Sequence, residues 1–530
     1  MSEPVDVLVV GAGPAGLATA IRLKQQLATV SRDASVVVID KAPRPGYHAL
    51  SGAAFEPACL DELLPGWRDD RRFMEQVVPV ERDELYFLLG ARAIRVPPAV
   101  VPRRMHHVGD VTVSLSRLVA FLADHAAKLG IELYEGFSAR SLIVEDGQVA
   151  GVRLAEVGRD KHGGQKSNFR PAEEIRARLT ILADGSRGVL STELRERFGS
   201  GQNPQVYSLG IKALVQYPGD NPFGTNRVVH TLGYPNPASV FGGGFLYSMG
   251  EKTVAVGLIL GLDWKFGDLA PQREFERYRA NPFIARLLAG SVTIATGAKT
   301  IPEGGYYALG RLTAPGALAV GDGAGFVNME KIKGIHYAML SGMAAAETAA
   351  EALTADGAGT IPEEALGGYR RRLEERGVLP DLRHARNYRA AFRRGIYLGT
   401  PLSLIQGWLP GRLGMEEDQR GTRPGARLDR PDPEGMDGAT FVSLTGSLHR
   451  EDEPAHMTIL DPEKCVACER EYASSCTHFC PGQVYRWDGK AIVLSPSNCL
   501  HCMTCAVKCP YVNIRWLPPE GGEGPRFKQM

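Results

Sequence analysis

The sequence has no excess of charge of either sign and no long hydrophobic run. It contains 61 lysine and arginine residues against 60 aspartate and glutamate residues, so its net charge is +1. This balance argues against a nucleic-acid-binding protein, which usually carries a basic excess. No stretch of about 18 apolar residues occurs, so we expect no membrane-spanning helix. The first ten residues lack a basic segment, so we expect no secretory signal.

Cysteine is almost absent from the first 464 residues, where Cys59 stands alone. The other eight of the nine cysteines lie between Cys465 and Cys509. A disulfide-stabilised secreted domain would carry cysteines throughout a short chain, so this distribution predicts metal ligation in a reducing compartment. We expect Cys59 to be a buried structural thiol.

The hydrophobic patterns predict an α/β domain that is interrupted by a second sheet. Residues 5–10 and 35–39 are apolar runs typical of buried strands, and residues 15–27 between them have helical spacing. From about residue 206 to 300, short strands separated by glycine and proline predict an antiparallel sheet. Residues 158–168 predict a polar loop, and residues 420–438 predict a linker.

A glycine-rich turn follows the first predicted strand. Gly11, Gly13 and Gly16 form a Gly-x-Gly-x-x-Gly motif that allows a tight turn, close approach of a pyrophosphate and close helix packing. Asp40 ends the second strand, where an acid can accept a hydrogen bond from a ribose hydroxyl. The combination predicts a dinucleotide site, with a glycine turn needed only for packing as the alternative.

Two later segments favour FAD over a nicotinamide dinucleotide. Asp184 and Gly185 follow one strand, and Asp322 lies in a Gly-Asp-Gly sequence after another. Both resemble FAD fingerprints of the glutathione-reductase and hydroxylase class of flavoproteins, and each alone is typical of an ordinary strand and turn. That resemblance implies that Asp322 binds the ribityl chain and that Arg117 contacts FAD. No second Gly-x-Gly-x-x-Gly motif occurs, so we expect no separate NAD(P)H domain.

The cysteine segment contains two runs of four cysteines, each ending in Cys-Pro. The second run has the spacing of bacterial ferredoxins, and the first contains a longer x7 step. Because the fourth cysteine of a ferredoxin run binds the other cluster, we expect two crossed ligand sets. The first set is Cys480, Cys499, Cys502 and Cys505, and the second is Cys465, Cys468, Cys476 and Cys509. Zinc, a three-iron cluster and a degenerate second site are the alternatives.

Several long strings resemble the electron-transfer flavoprotein:ubiquinone oxidoreductase family, and the resemblance covers nearly the whole chain. They comprise residues 48–53, 241–247, 302–305, 331–336, 453–457 and 513–522. The resemblance implies an α/β FAD-binding domain of the glutathione-reductase/hydroxylase type in residues 1–205 and 301–390. It also implies an inserted antiparallel quinone-binding sheet in 206–300 and a bacterial-ferredoxin-like iron–sulfur domain in 430–530.

The same resemblance implies a function and its site residues. Reduced electron-transfer flavoprotein would supply electrons that pass through FAD and a [4Fe–4S] cluster to a membrane quinone, either ubiquinone or menaquinone. The implied contacts to FAD include Lys41, Ser51, Gly52 and Gly334, and those to the quinone are Gly242 and Gly243. No acid–base or nucleophilic residue is required. Family members carry the first cysteine set. The second set departs from the family pattern, so the resemblance does not determine whether the electron donor is the usual one of the family.

Residues 391–412 contain an apolar stretch with arginines at both ends. The stretch is too short to span a bilayer, so it predicts a membrane-surface segment of a peripheral, monomeric protein on the cytoplasmic face of a bacterial inner membrane. The alternative for this segment is a buried helix and loop. For Gly242 and Gly243, the alternative to a quinone site is a bend in a strand. The alternative functions are a ferredoxin-linked flavin reductase or hydroxylase of the geranylgeranyl-reductase type and a non-catalytic electron-carrying subunit.

Overall fold

The first domain is built on an eight-stranded sheet. The structure, a computed structural model, describes residues 4–354 and 359–530. Five strands are parallel, in the order Ala317–Ala319, Glu174–Leu182, Val5–Val10, Val36–Asp40 and Glu132–Glu135. Three antiparallel strands complete the sheet: Thr313–Ala314, Ala139–Glu145 and Gln148–Leu154. The central strands are apolar and buried because elements pack on both faces of a parallel sheet.

Two long helices lie side by side in this domain. Pro14–Thr29 follows the first strand, and Ile335–Thr354 packs along it with a surface of small residues. A Cβ atom at Gly342 would overlap the carbonyl oxygen of Ala15, which explains the small residue there. The other helices are Ala58–Leu63, Arg71–Met74, Leu115–Lys128, Val189–Phe198, Gly321–Ala324, Gly368–Glu375, Val378–His384 and Tyr388–Ala391. A small sheet joins Ala54–Phe55, Val111–Thr112 and Val78–Pro79.

The second sheet has seven strands. Their order is Val292–Pro302, Tyr207–Gln216, Thr253–Gly261, Gly242–Ser248, Arg227–Gly233, Arg82–Leu89 and Arg92–Val96. The last two strands come from residues 82–96, which lie within the range 1–205 predicted for the FAD-binding domain. The strands within residues 206–300 pair antiparallel, as predicted. Arg227–Gly233 also pairs in parallel with Arg82–Leu89, so the sheet as a whole is mixed. Helix Pro271–Arg279 packs on it through Phe275 and Tyr278, and helix Pro282–Leu287 follows.

The predicted loop at residues 158–168 is a β-ribbon instead. Val157–Arg159 and Gln165–Arg170 pair as antiparallel strands around a short turn. Glu520, near the end of the chain, accepts a hydrogen bond from the Gly158 amide at 2.6 Å. The prediction was wrong because the ribbon is polar on both faces and lacks the alternating hydrophobic pattern of a half-buried strand.

The apolar segment forms helix Ile396–Ile405, which contains Pro401, followed by a 3₁₀ turn at Gln406–Trp408. Gly395 places this helix against the loop that joins strands Arg227–Gly233 and Gly242–Ser248 of the second sheet, since the Ile396 amide donates a hydrogen bond to the Ala238 carbonyl oxygen at 2.7 Å. Within residues 4–354 and 359–530, no helix is long and apolar enough to cross a bilayer.

The cysteine-rich domain consists of two small antiparallel ribbons and short helices. Met457–Ile459 pairs with Ile514–Trp516, and Tyr485–Trp487 pairs with Ile492–Leu494. The helices are Gly438–Ser443, Pro462–Tyr472, Cys476–Phe479 and Thr504–Lys508. The domain packs directly on the second sheet, where the Thr300 amide donates a hydrogen bond to the Cys502 carbonyl oxygen at 3.0 Å.

Candidate functional site

A cavity of about 360 Å³ lies where the two sheets and the cysteine-rich domain meet. Ten of the twelve residues predicted to bind FAD line it: Gly11, Gly13, Asp40, Lys41, Ser51, Gly52, Asp184, Gly185, Asp322 and Gly334. The other two, Gly16 and Arg117, do not line it. Arg117 lies on a helix that contributes Leu115 and Val119 to the lining instead.

The three glycines of the first motif have different structural roles. Gly11 has a φ of +109°, and a Cβ there would overlap the carbonyl oxygen of Ala183. A Cβ at Gly16 would overlap the carbonyl oxygen of Gly11, so this residue packs the helix on the turn. No atom lies within 4 Å of a Cβ built at Gly13, which precedes the helix. The space beside Gly13 and the free amides of the helix N-terminus fit a pyrophosphate.

The predicted acidic residues also differ in their contacts. Asp40 accepts hydrogen bonds from the amides of Ala12 and Ala42, each at 2.7 Å, and so fixes the glycine turn to the second strand. Asp184 accepts hydrogen bonds from the Leu190 and Ser191 amides at 2.9 and 3.1 Å, so it orders the start of the following helix.

Asp322 is the acid that is free to bind a ligand. Its carboxylate accepts no hydrogen bond from another described residue, and it lines the cavity. Burial raises its pKa to about 6, while the positive charge of Lys299 acts in the opposite direction. A carboxylate in this position fits the hydroxyl groups of a ribityl chain.

Two buried lysines of the second sheet complete the cavity, and sequence reasoning missed both. Lys212 donates a hydrogen bond from Nζ to the Ser51 carbonyl oxygen at 3.0 Å, and burial lowers its pKa to about 7. Lys299 donates a hydrogen bond to the His501 carbonyl oxygen at 3.1 Å, and burial lowers its pKa as well. A lysine inside an otherwise apolar strand was the available signal, because unpaired lysine is rarely buried without a function. The residues present therefore fit FAD, an anionic ligand.

The first cysteine set converges beside this cavity. Cys480, Cys499, Cys502 and Cys505 line a common small cavity, together with Met503 and Trp516. All nine cysteines are free thiols, and burial raises the pKa of Cys499 to about 12. A thiolate at this depth needs a cationic partner, and four convergent sulfurs fit a [4Fe–4S] cluster. Met503 and Trp516 also line the FAD cavity, so the two sites share side chains.

The second cysteine set converges separately. Cys465, Cys468, Cys476 and Cys509 line another cavity that has no lining residue in common with the first set or with the FAD cavity. The structure therefore groups the eight cysteines into the two crossed sets that the spacing predicts. Cys59 is buried in the first domain, where burial raises its pKa.

Gly242 and Gly243 begin one strand of the second sheet. A Cβ at Gly242 would overlap the Ile259 carbonyl oxygen, and one at Gly243 would overlap the Thr231 carbonyl oxygen. Sheet packing alone therefore explains both glycines. The preceding Phe241 contacts Phe392, with the ring centres 5.0 Å apart, and so connects this strand to the apolar segment.

The apolar segment is exposed along one side. Five of its large side chains are exposed by half or more: Tyr397 68%, Leu398 62%, Leu404 53%, Ile405 51% and Trp408 88%. Gly399 and Ser403 are the buried positions of the helix, so its apolar side chains do not pack in the core.

Comparison with known proteins identifies the family. A model described as electron transfer flavoprotein-ubiquinone oxidoreductase, 4Fe-4S, matches residues 435–528, and one described as ETF-QO, ubiquinone-binding, matches residues 207–301. The chain is 37% identical to a probable electron transfer flavoprotein-ubiquinone oxidoreductase of Schizosaccharomyces pombe, over 99% of this chain and 86% of that protein. The chain belongs to this family. Its human member is 35% identical over 100% of this chain and 90% of its own length.

Other comparisons agree with the predicted fold. Models of an NAD(P)-binding Rossmann-like domain and an FAD-binding domain match residues 9–63 and 66–209. A geranylgeranyl bacteriochlorophyll reductase-like structure from Thermoplasma acidophilum covers 76% of this chain and 90% of its own, with a TM-score of 0.57 and 21% identity. That likeness shows the fold alone. The chain is thus an oxidoreductase of the electron transfer flavoprotein-ubiquinone oxidoreductase family, with an FAD-binding and a [4Fe–4S] domain.

Proposed function

We propose that this protein transfers electrons from reduced electron transfer flavoprotein, through FAD and the cluster held by Cys480, Cys499, Cys502 and Cys505, to a membrane quinone. The proposal rests on Met503 and Trp516, which line both the FAD cavity and the cavity of the first cysteine set. Two redox groups separated by one layer of side chains can exchange electrons directly. When bound, FAD supplies chemistry that links one-electron and two-electron steps.

The residues around the cavity hold and tune the cofactor. Gly13 would leave room for the pyrophosphate, and Asp322 would accept hydrogen bonds from the ribityl chain. Lys212 and Lys299 are buried at the cavity, and in their protonated forms they would favour the electron-rich form of a nearby ligand. No side chain has to form a bond with substrate, so the contribution of the protein is position and electrostatics.

The quinone side of the proposal rests on the exposed apolar segment. Gly395 and Phe392 contact residues 238–241, which lead into the strand that begins at Gly242. Exposed apolar side chains at one end of a quinone-binding sheet fit a protein that lies on the bilayer surface and receives its quinone from the lipid. We infer a peripheral, monomeric protein, on the cytoplasmic face of a bacterial inner membrane.

The test is anaerobic reduction of a soluble quinone analogue by the purified holoenzyme. Enzymatically reduced electron transfer flavoprotein is the donor, and ubiquinone-type and menaquinone-type analogues are compared as acceptors. We expect donor reoxidation that depends on both the enzyme and a quinone, and the rates with the two analogues identify the acceptor. A holoenzyme that leaves the donor reduced with both analogues, yet reduces prenyl double bonds, would establish the geranylgeranyl-reductase type of function instead.

A further inference from the structure

The second cysteine set is not explained by a single-cluster electron carrier. Its four thiols come from three separate elements, namely helix Pro462–Tyr472, helix Cys476–Phe479 and the residue after helix Thr504–Lys508. Nevertheless they line one cavity, and none of them forms a disulfide. Four convergent thiols in a domain that already has a cluster fold are a ligand set for a metal centre.

The unusual x7 step is accommodated by the local backbone. Cys465 and Cys468 lie one helical turn apart, so their sulfurs are on the same side of the helix. The helix then ends in two left-handed residues, Ala473 with a φ of 53° and Ser474 with a φ of 46°. This reversal of the chain direction brings Cys476 back to the same cavity. The long step therefore leaves a complete four-thiol site, and a three-iron or degenerate site is not required.

The surroundings of the second site resemble those of an iron–sulfur ligand set. The Asn513 amide and side chain donate hydrogen bonds to Cys509 Sγ at 3.3 Å and to Cys465 Sγ at 3.4 Å. Such N–H donors to sulfur adjust the potential of a cluster. Ile459, Ile492 and Ile514 supply an apolar lining.

Two short elements connect the sites. Cys476 and Cys480 lie at the two ends of one helical turn, and Cys505 and Cys509 are related in the same way. Each pair contributes one thiol to each site. Four residues of helix rise about 6 Å, so clusters in the two sites would be neighbours.

The second site is the outer of the two. The large apolar residues near it in sequence are partly exposed: Leu460 49%, Val466 37%, Val493 36% and Val512 61%. Those around the first site are buried, among them Leu500 at 2% and Trp516 at 6%.

We propose that Cys465, Cys468, Cys476 and Cys509 bind a second [4Fe–4S] cluster, the outer electron carrier of this protein. Its part in electron transfer rests on the proposed function, but its presence does not. Each cluster takes up or releases one electron, so the chain holds two one-electron carriers in addition to FAD.

The decisive experiment counts iron, acid-labile sulfide, zinc and FAD in the anaerobically purified holoenzyme. We expect about eight iron and eight sulfide per FAD, and reduced samples should give EPR signals broadened by interaction between two clusters. About four iron, about seven iron with an oxidised three-iron signal, or stoichiometric zinc would each overturn the proposal. These counts need no electron donor or quinone, so they are independent of the proposed function.

Variants then assign the iron to its site. Cys468→Ala/Cys476→Ala should lower the count to about four iron per FAD and leave one EPR signal without broadening. The matched control Cys59→Ala removes a buried thiol outside the domain and should keep about eight. Eight iron in the double variant would refute the assignment. If that variant fails to fold, the iron count of the wild type alone tests whether a second cluster is present.

Discussion

Membrane association is predicted to depend on the exposed face of the apolar segment. We consider the triple variant Leu398→Ser/Leu404→Ser/Trp408→Ser, whose wild-type side chains are 62%, 53% and 88% exposed. Because they have few contacts within the protein, their replacement should change the melting temperature little. The same exposure makes them available for insertion into the headgroup and acyl boundary of a bilayer.

The size of the effect follows from these exposures. Burial of a large apolar side chain contributes about 1.5–3 kcal/mol when the side chain is otherwise fully exposed. Scaled by the exposed fractions, the three side chains contribute roughly 4 kcal/mol together, which corresponds to about a thousandfold in the membrane partition coefficient.

Sedimentation with lipid vesicles of defined composition measures this coefficient. The matched control is Val30→Ser/Leu129→Ser/Leu448→Ser, since these residues are exposed by 54%, 42% and 54% in other parts of the molecule. We expect the control to bind vesicles as the wild type does and the triple variant to stay in the supernatant. A triple variant that pellets with wild-type affinity would refute the assignment of residues 391–412 to the membrane surface.

Four further predictions concern the cavity and the first cluster. Gly16→Ala should destabilise the apoprotein by about 3 kcal/mol because its Cβ overlaps backbone, whereas Gly13→Ala should keep the melting temperature and weaken FAD binding. Asp322→Asn should weaken FAD binding tenfold or more in a fluorescence titration. Burial raises the native pKa of Asp322 to about 6, so the apoprotein loses stability as the pH rises from the ordinary value of 3.8 through 6. Without FAD, the Asn variant should therefore melt higher than the wild type near pH 8 and equally near pH 4. Lys212 has a pKa lowered to about 7, so Lys212→Met should lower the flavin midpoint potential more near pH 6, where the lysine is charged, than near pH 8. Cys480→Ala should remove about four iron per FAD and leave the flavin spectrum unchanged.

Local motifs made much of the site predictable from the sequence. The glycine turn and the cysteine spacing each fall within a short segment whose geometry depends on neighbouring residues. Even the grouping of Cys480 with Cys499, Cys502 and Cys505 follows from the spacing, because the fourth cysteine of each ferredoxin run binds the cluster of the other run.

Contacts between distant segments could not be predicted in this way. Arg82–Leu89 pairs with Arg227–Gly233. Hydrophobic periodicity predicts each strand separately and does not indicate which strands pair. Lys212 reaches the Ser51 carbonyl oxygen across 161 residues of sequence. Likewise, Trp516 joins the FAD cavity to the first cysteine set only because the last ribbon of the chain returns to the first domain.

The most direct test of the electron path is freeze-quench EPR of the holoenzyme after mixing with reduced electron transfer flavoprotein. We expect a reduced iron–sulfur signal that forms without quinone and disappears when a ubiquinone analogue is added. In Cys480→Ala, the signal of the first cluster should be absent. An iron–sulfur signal that never forms, or that persists unchanged after quinone is added, would contradict the transfer of electrons through the cluster to quinone.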